Sequence, residues 1–118
     1  VSATAIPSSN RIDAAFARLR REGRKAFIPY IAAGVPGTAE SIDLALMLGD
    51  LGADVLELGY PFSDPMADGV VNQAAATRAL ELGVTDDVYF DIVRGIRARS
   101  ELPLVVFSYL NPIFRLGL

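Results

Sequence analysis

A chain of 118 residues that is 52% hydrophobic and 21% charged has apolar surface enough for one core, and its net charge of −3 offers no basic stripe to displace counterions from nucleic acid. Cysteine and histidine are both absent, which removes disulfides, thiolate nucleophiles, imidazole bases and the usual zinc ligand sets; acid–base chemistry falls to carboxylates, tyrosine or lysine. No apolar run approaches the roughly 20 residues that cross a bilayer, and the opening Val1 to Asn10 lacks the basic and apolar blocks of a signal peptide, so the expectation is a cytoplasmic chain with neither nucleic acid nor membrane as partner.

In chain order, Asn10 predicts the cap of a helix whose Ile12, Ala15, Phe16 and Leu19 share a face and which stops at Gly23. Ala26 to Ala33 is apolar and strand-like, and Pro29 within it marks an edge or a first strand. Thr38 is the expected cap of the next helix, with Glu40 in its first turn, Ile42, Ala45, Leu46 and Gly49 on its packing face, and Gly52 as its stop. The second strand runs near Asp54 to Gly59, and one helix between two strands requires parallel pairing. Val71 to Leu82 reads as an alanine-rich helix stopped by Gly83. Thr85 caps another, with Asp86 and Asp87 at its start and Arg94, Arg97 and Arg99 towards its end, a charge order that follows the helix dipole. Leu102 to Ser108 is a third strand, apolar throughout as buried parallel strands are.

The chemistry gathers where the second strand ends. Alternation puts Leu56 and Leu58 on one face and Val55, Glu57 and Gly59 on the other, so Glu57 interrupts an apolar layer, where a carboxylate is costly unless paired or solvated in a cavity. A loop punctuated by Pro61, Pro65 and Gly69 follows and suits a fold-back that brings Asp68 towards Glu57. Residue chemistry alone leaves two readings open for each. Glu57 is a catalytic carboxylate or an edge carboxylate paired with Arg or Lys; Asp68 is a catalytic group or an Asx-turn residue before glycine. Asp64 reads equally as a turn former, and Tyr109, an aromatic at the end of a parallel strand, as core.

Glu57-Leu58-Gly59-x-Pro61-Phe62-Ser63-Asp64-Pro65-x-Ala67-Asp68-Gly69, with Gln73 beyond it, resembles the signature of the tryptophan synthase alpha subunit family. Phe27-Ile28-Pro29-Tyr30 with Ala33-Gly34-x-Pro36, and Tyr109-x-Asn111-Pro112-Ile113-Phe114, resemble that family's first and third strand ends, so the likeness runs from about Ile12 onward. It implies an α/β fold of the TIM (β/α)8 barrel type. A whole barrel takes about 250 residues, so residues 1–118 are expected to be the amino-terminal portion of one barrel domain, about three parallel strands with their helices.

The resemblance implies a carbon–carbon lyase of tryptophan biosynthesis, which splits indole-3-glycerol phosphate into indole and glyceraldehyde 3-phosphate by a reverse aldol reaction. Glu57 is then the proton-transfer group, Asp68 the ionised acceptor of the indole N–H, and Tyr109 the third catalytic-site residue, while Phe27 and Tyr30 form the apolar wall against the indole ring. Pro61 and Asp64 fall near the contact with the tryptophan synthase beta subunit, the partner that holds pyridoxal phosphate; no cofactor is expected in this chain itself. The family's phosphate-binding loops follow later strands, which leaves a second class open: a non-catalytic folding or assembly unit that associates through open sheet edges.

Overall fold

The computed structural model describes residues 9–117. The opening stretch through Ser8, which bears most of the signal-peptide expectation, lies outside the described residues. Eight elements follow in the order α1 (Arg11–Glu22), β1 (Tyr30–Ala32), α2 (Thr38–Asp50), β2 (Leu56–Gly59), α3 (Val70–Glu81), α4 (Asp86–Arg97), β3 (Leu104–Phe107) and α5 (Leu110–Leu116). The strands form one parallel sheet in the order β1-β2-β3, with Tyr30 beside Glu57 and Glu57 beside Val105. No helix among the described residues is long and apolar enough to cross a membrane.

Local chemistry sets most boundaries. Asn10 Oδ1 accepts from the Asp13 N–H at 2.9 Å, Thr85 Oγ1 from the Val88 N–H at 3.3 Å, and Gly23 ends α1 at a φ of 64° that L side chains avoid. Four expectations are corrected. β1 shrinks from Ala26–Ala33 to three residues because Pro29 has no N–H to give, although its carbonyl and that of Phe27 still accept from Glu57 and Asp54 at 2.9 Å. The cap of α2 is Gly37 rather than Thr38, and the Glu40 carboxylate folds into the space that a side chain at Gly37 would need. Arg99 lies beyond α4 and pairs across to Asp43 on α2 at 3.8 Å.

The fourth correction concerns the end of the described span. Leu110–Leu116 is a helix that follows directly on the third strand; Pro112 is tolerated because it sits in the first turn, where the backbone N–H has no partner within the helix. β3 is apolar as expected but not buried throughout: Val106 and Phe107 are 46% and 45% exposed, on an edge strand of the described sheet that pairs with β2 alone.

The core lies between the sheet and the α2/α4 layer. Leu56 and Leu58 point into it from β2, and Tyr89, Ile92 and Ile96 meet them from α4, all fully buried. Tyr89 also donates its hydroxyl hydrogen to the Leu58 carbonyl at 2.8 Å, which ties α4 to the strand that carries Glu57 on its other face.

Candidate active site

The strand parity that buries Leu56 and Leu58 against the helices turns Glu57 and Gly59 to the opposite face. Tyr30, Glu57 and Val105 sit abreast in one row of that face, and Ala32, Gly59 and Phe107 in the next row towards the carboxyl ends of the strands. Tyr30 does not stand upright in its row. Its ring leans along the strand direction over Gly59, so close that a Cβ there would lie 2.7 Å from the ring Cζ, and it packs edge-on against Phe107 with centroids 5.4 Å apart. Only glycine leaves room for that posture.

Beyond this row the strand ends and the loop after β2 enclose a cavity of about 270 Å3, lined by Tyr30, Gly59, Phe62, Asp68, Phe107 and Tyr109 among others. It opens at the carboxyl end of the parallel sheet, the end at which such sheets bind ligands. A wider cleft of about 700 Å3 lies at the opposite end, where Arg11, Arg18 and Glu101 line it; Arg11 there pairs with Glu101 at 2.6 Å and Arg18 with the buried Asp54 at 3.4 Å.

The phenol of Tyr30 is held above its ordinary pKa, first by burial and then by the negative charge of Asp68, with smaller contributions from Tyr109 and Glu57. The two carboxylates thus act on one hydroxyl, Asp68 from the loop and Glu57 from the neighbouring strand. Asp68 is half-buried at the cavity wall. Glu57, also half-buried, stands one row below the cavity floor and does not line it. Tyr109 lies in the cavity wall, but its hydroxyl accepts from the Ala67 N–H at 2.9 Å and its ring tilts against Phe62 with centroids 5.3 Å apart.

The described residues leave Phe27 outside this cavity and put Pro61 within its wall. Phe27 is 51% exposed and outside the cavity, because the chain there precedes β1 and its backbone is engaged with Asp54, whose carboxylate accepts from the Phe27 N–H at 2.8 Å. Pro61 is buried in the cavity wall rather than presented at a surface, since it follows directly on the buried end of β2; Asp64 is exposed. Sequence reasoning missed Phe62 and Phe107 as cavity walls. Their signal was faint: Phe107 is one apolar residue in an apolar strand, and only its register with Gly59 distinguishes it. Among the described residues no three acidic side chains gather as a metal site; what the cavity offers is the Asp68 carboxylate beside apolar walls.

The family model described as tryptophan synthase alpha chain matches residues 16–118. Tryptophan synthase alpha chains of Alkalilimnicola ehrlichii and Caldanaerobacter subterraneus are 52% and 44% identical to this chain over 109 residues, which is 92% of this chain and 40% and 42% of theirs. The crystal structure of tryptophan synthase subunit alpha from Legionella pneumophila superposes with a TM-score of 0.89 at 43% identity, over 93% of this chain and 42% of that one. A crystal structure of tryptophan synthase from M. tuberculosis in an aminoacrylate-bound form gives 0.85 at 32% identity, over 92% and 44%. The chain therefore spans about two fifths of the length of these relatives, and its three strands correspond to part of their TIM barrel.

Proposed function

The chain belongs to the tryptophan synthase alpha chain family, and on that premise we propose that it supplies the acid–base half of a lyase site that cleaves indole-3-glycerol phosphate to indole and glyceraldehyde 3-phosphate. The supporting observation is the apolar cavity at the carboxyl ends of the parallel strands, with Asp68 in its wall and Glu57 one row below its floor on the same face of the sheet. The indole ring is assigned to the slot between the aromatic walls, with its N–H towards the Asp68 carboxylate. Glu57, in the row beneath the cavity floor, is the group assigned to reach up and deliver a proton to the ring carbon that bears the glycerol chain, and the positive charge this places on the ring nitrogen is stabilised by Asp68. The Glu57 carboxylate left by that transfer takes the proton from the adjacent hydroxyl, and the carbon that bears it becomes an aldehyde. The electron pair of the breaking carbon–carbon bond returns to the ring and restores neutral indole.

The reaction asks no cofactor of this chain. Pyridoxal phosphate belongs to the beta subunit, the cytoplasmic partner that takes up indole, and the exposed Asp64 in the β2–α3 loop is the contact assigned to it. The phosphate of the substrate is assigned to later strands of the barrel.

The test joins this chain to the remaining strands of the Legionella relative and measures indole release from indole-3-glycerol phosphate. Glu57→Gln keeps the shape and removes the proton, so turnover should fall below detection with binding retained; Asp68→Asn should lower it strongly. Near-normal turnover in Glu57→Gln would make the strand glutamate structural. The exposed Val106 and Phe107 on β3 favour a second reading, in which this span acts by association with further strands or with a second copy. A concentration-independent monomer in light scattering would exclude that reading.

A further inference from the structure

We propose that Tyr109 and Gln73 form a two-point clasp that fixes where the Asp68 carboxylate stands over the cavity, so that Tyr109 serves the site by position and not by proton transfer. The part of this that concerns the reaction rests on the lyase reading above; the clasp itself does not.

The loop between β2 and α3 has little internal structure, with Met66 N–H donating to the Asp64 carbonyl at 2.9 Å and Asp68 N–H to that of Pro65 at 3.1 Å. Two side chains from outside the loop hold it. The Tyr109 hydroxyl accepts from the Ala67 N–H at 2.9 Å, immediately before Asp68, and Gln73 Nε2 donates to the carbonyl of Asp68 itself at 2.8 Å. The Gln73 bond ties the peptide that follows the Asp68 Cα, the Asp68 N–H to the Pro65 carbonyl ties the one before it, and the Tyr109 bond ties the next peptide back, between Met66 and Ala67, so Asp68 keeps little freedom beyond rotation of its own side chain.

Both anchors stand on firm ground. Tyr109 caps α5 two residues after Phe107, whose carbonyl accepts from the Tyr60 N–H at 2.9 Å. That bond closes a ring: the chain leaves β2 at Tyr60, runs through the loop to Ala67, crosses to Tyr109 and returns through Phe107 to Tyr60. The Phe62 ring packs on Tyr109 inside that ring of contacts. Gln73 lies in the first turn of α3, where its own N–H is bonded to the Gly69 carbonyl at 2.9 Å. The hydroxyl oxygen of Tyr109 is thus engaged by the backbone, which is the arrangement of a strut.

Amide hydrogen exchange on the full chain tests the clasp without any need for activity. Tyr109→Phe keeps the ring on Phe62 and removes the acceptor, so exchange at Ala67 should rise about fivefold, the equilibrium equivalent of one typical net hydrogen bond, while the sheet amides of Glu57 and Tyr60 hold their protection. Unchanged exchange at Ala67, or an Ala67 amide with no protection to begin with, overturns the clasp. Should Tyr109→Phe disturb the sheet amides, Gln73→Met carries the test from the α3 side: faster exchange at Ala67 with the sheet intact supports the clasp, and unchanged exchange overturns it. In the joined barrel, Tyr109→Phe should lower kcat roughly tenfold through a misplaced Asp68 and leave both limbs of the pH profile where they were. Loss of one limb would make Tyr109 a proton-transfer group and overturn the positional role. If the exchange results hold and the unsubstituted barrel releases no indole, the lyase reading falls and the clasp stands.

Discussion

Gly59→Ala should destabilise the chain even though the backbone there accepts alanine, and the reason lies in a residue on another strand. Gly59 ends β2 outside the left-handed region, so alanine there carries no backbone strain and by itself gains about 0.5–1 kcal/mol from a less flexible unfolded chain. Against that, its methyl group would fall on the Tyr30 ring, 2.7 Å from Cζ and 2.9 Å from Cε2, and closer still to the hydroxyl. The ring cannot yield freely, because it packs edge-on against Phe107 at 5.4 Å. Overpacking of this kind costs about 1–3 kcal/mol, so the net loss is roughly 0.5–2 kcal/mol. Urea unfolding reads it as a lower midpoint at unchanged slope, by about 0.25–1 M for a typical small-domain slope of about 2 kcal/mol per M. The decisive comparison is a double-mutant cycle. In a Tyr30→Ala background the methyl group has nothing to meet, and Gly59→Ala should become neutral or stabilising, whereas Tyr30→Phe should relieve it only in part because both ring carbons remain. An equal loss from Gly59→Ala with and without the Tyr30 ring would refute this account of why glycine stands there.

Tyr89→Phe should cost about 1 kcal/mol, since it removes the buried hydroxyl that donates to the Leu58 carbonyl at 2.8 Å; no change in the urea midpoint would mean that this bond contributes nothing. The phenols of Tyr30 and Tyr89 are both held above their ordinary value, chiefly by burial, so above about pH 10 the unfolded chain sheds protons that the fold retains, and stability should fall as pH rises. The slope is at most about 1.4 kcal/mol per pH unit for each phenol; urea midpoints that hold steady or rise through that range would contradict the burial of both.

The local rules were legible in the chain. Asn10 and Thr85 cap helices because a short polar side chain reaches back to a free N–H three residues on, and Gly23 stops one because it alone enters the left-handed region cheaply. These interactions span a few residues and depend on nothing distant. The same is true of the alternation that separates Glu57 and Gly59 from Leu56 and Leu58, and of the parallel pairing that one intervening helix enforces. The motif around Asp68 carried the family as well.

What tertiary structure decided are meetings between residues far apart in sequence. The Tyr109 hydroxyl could have pointed anywhere in the cavity; only the packing of β3 and α5 beside the β2–α3 loop brings it to the Ala67 N–H. Tyr30 became more than an apolar wall because the missing side chain at Gly59 lets its ring lie down over the end of β2, edge-on to Phe107. Phe27 and Pro61 changed places for the opposite reason: the sequence shows an aromatic before a strand and a proline after one, but which of them the cavity receives depends on where each chain segment passes the sheet. Helix caps and strand alternation are settled by neighbours along the chain, whereas a cavity is bounded by whichever side chains the folded backbone happens to bring abreast.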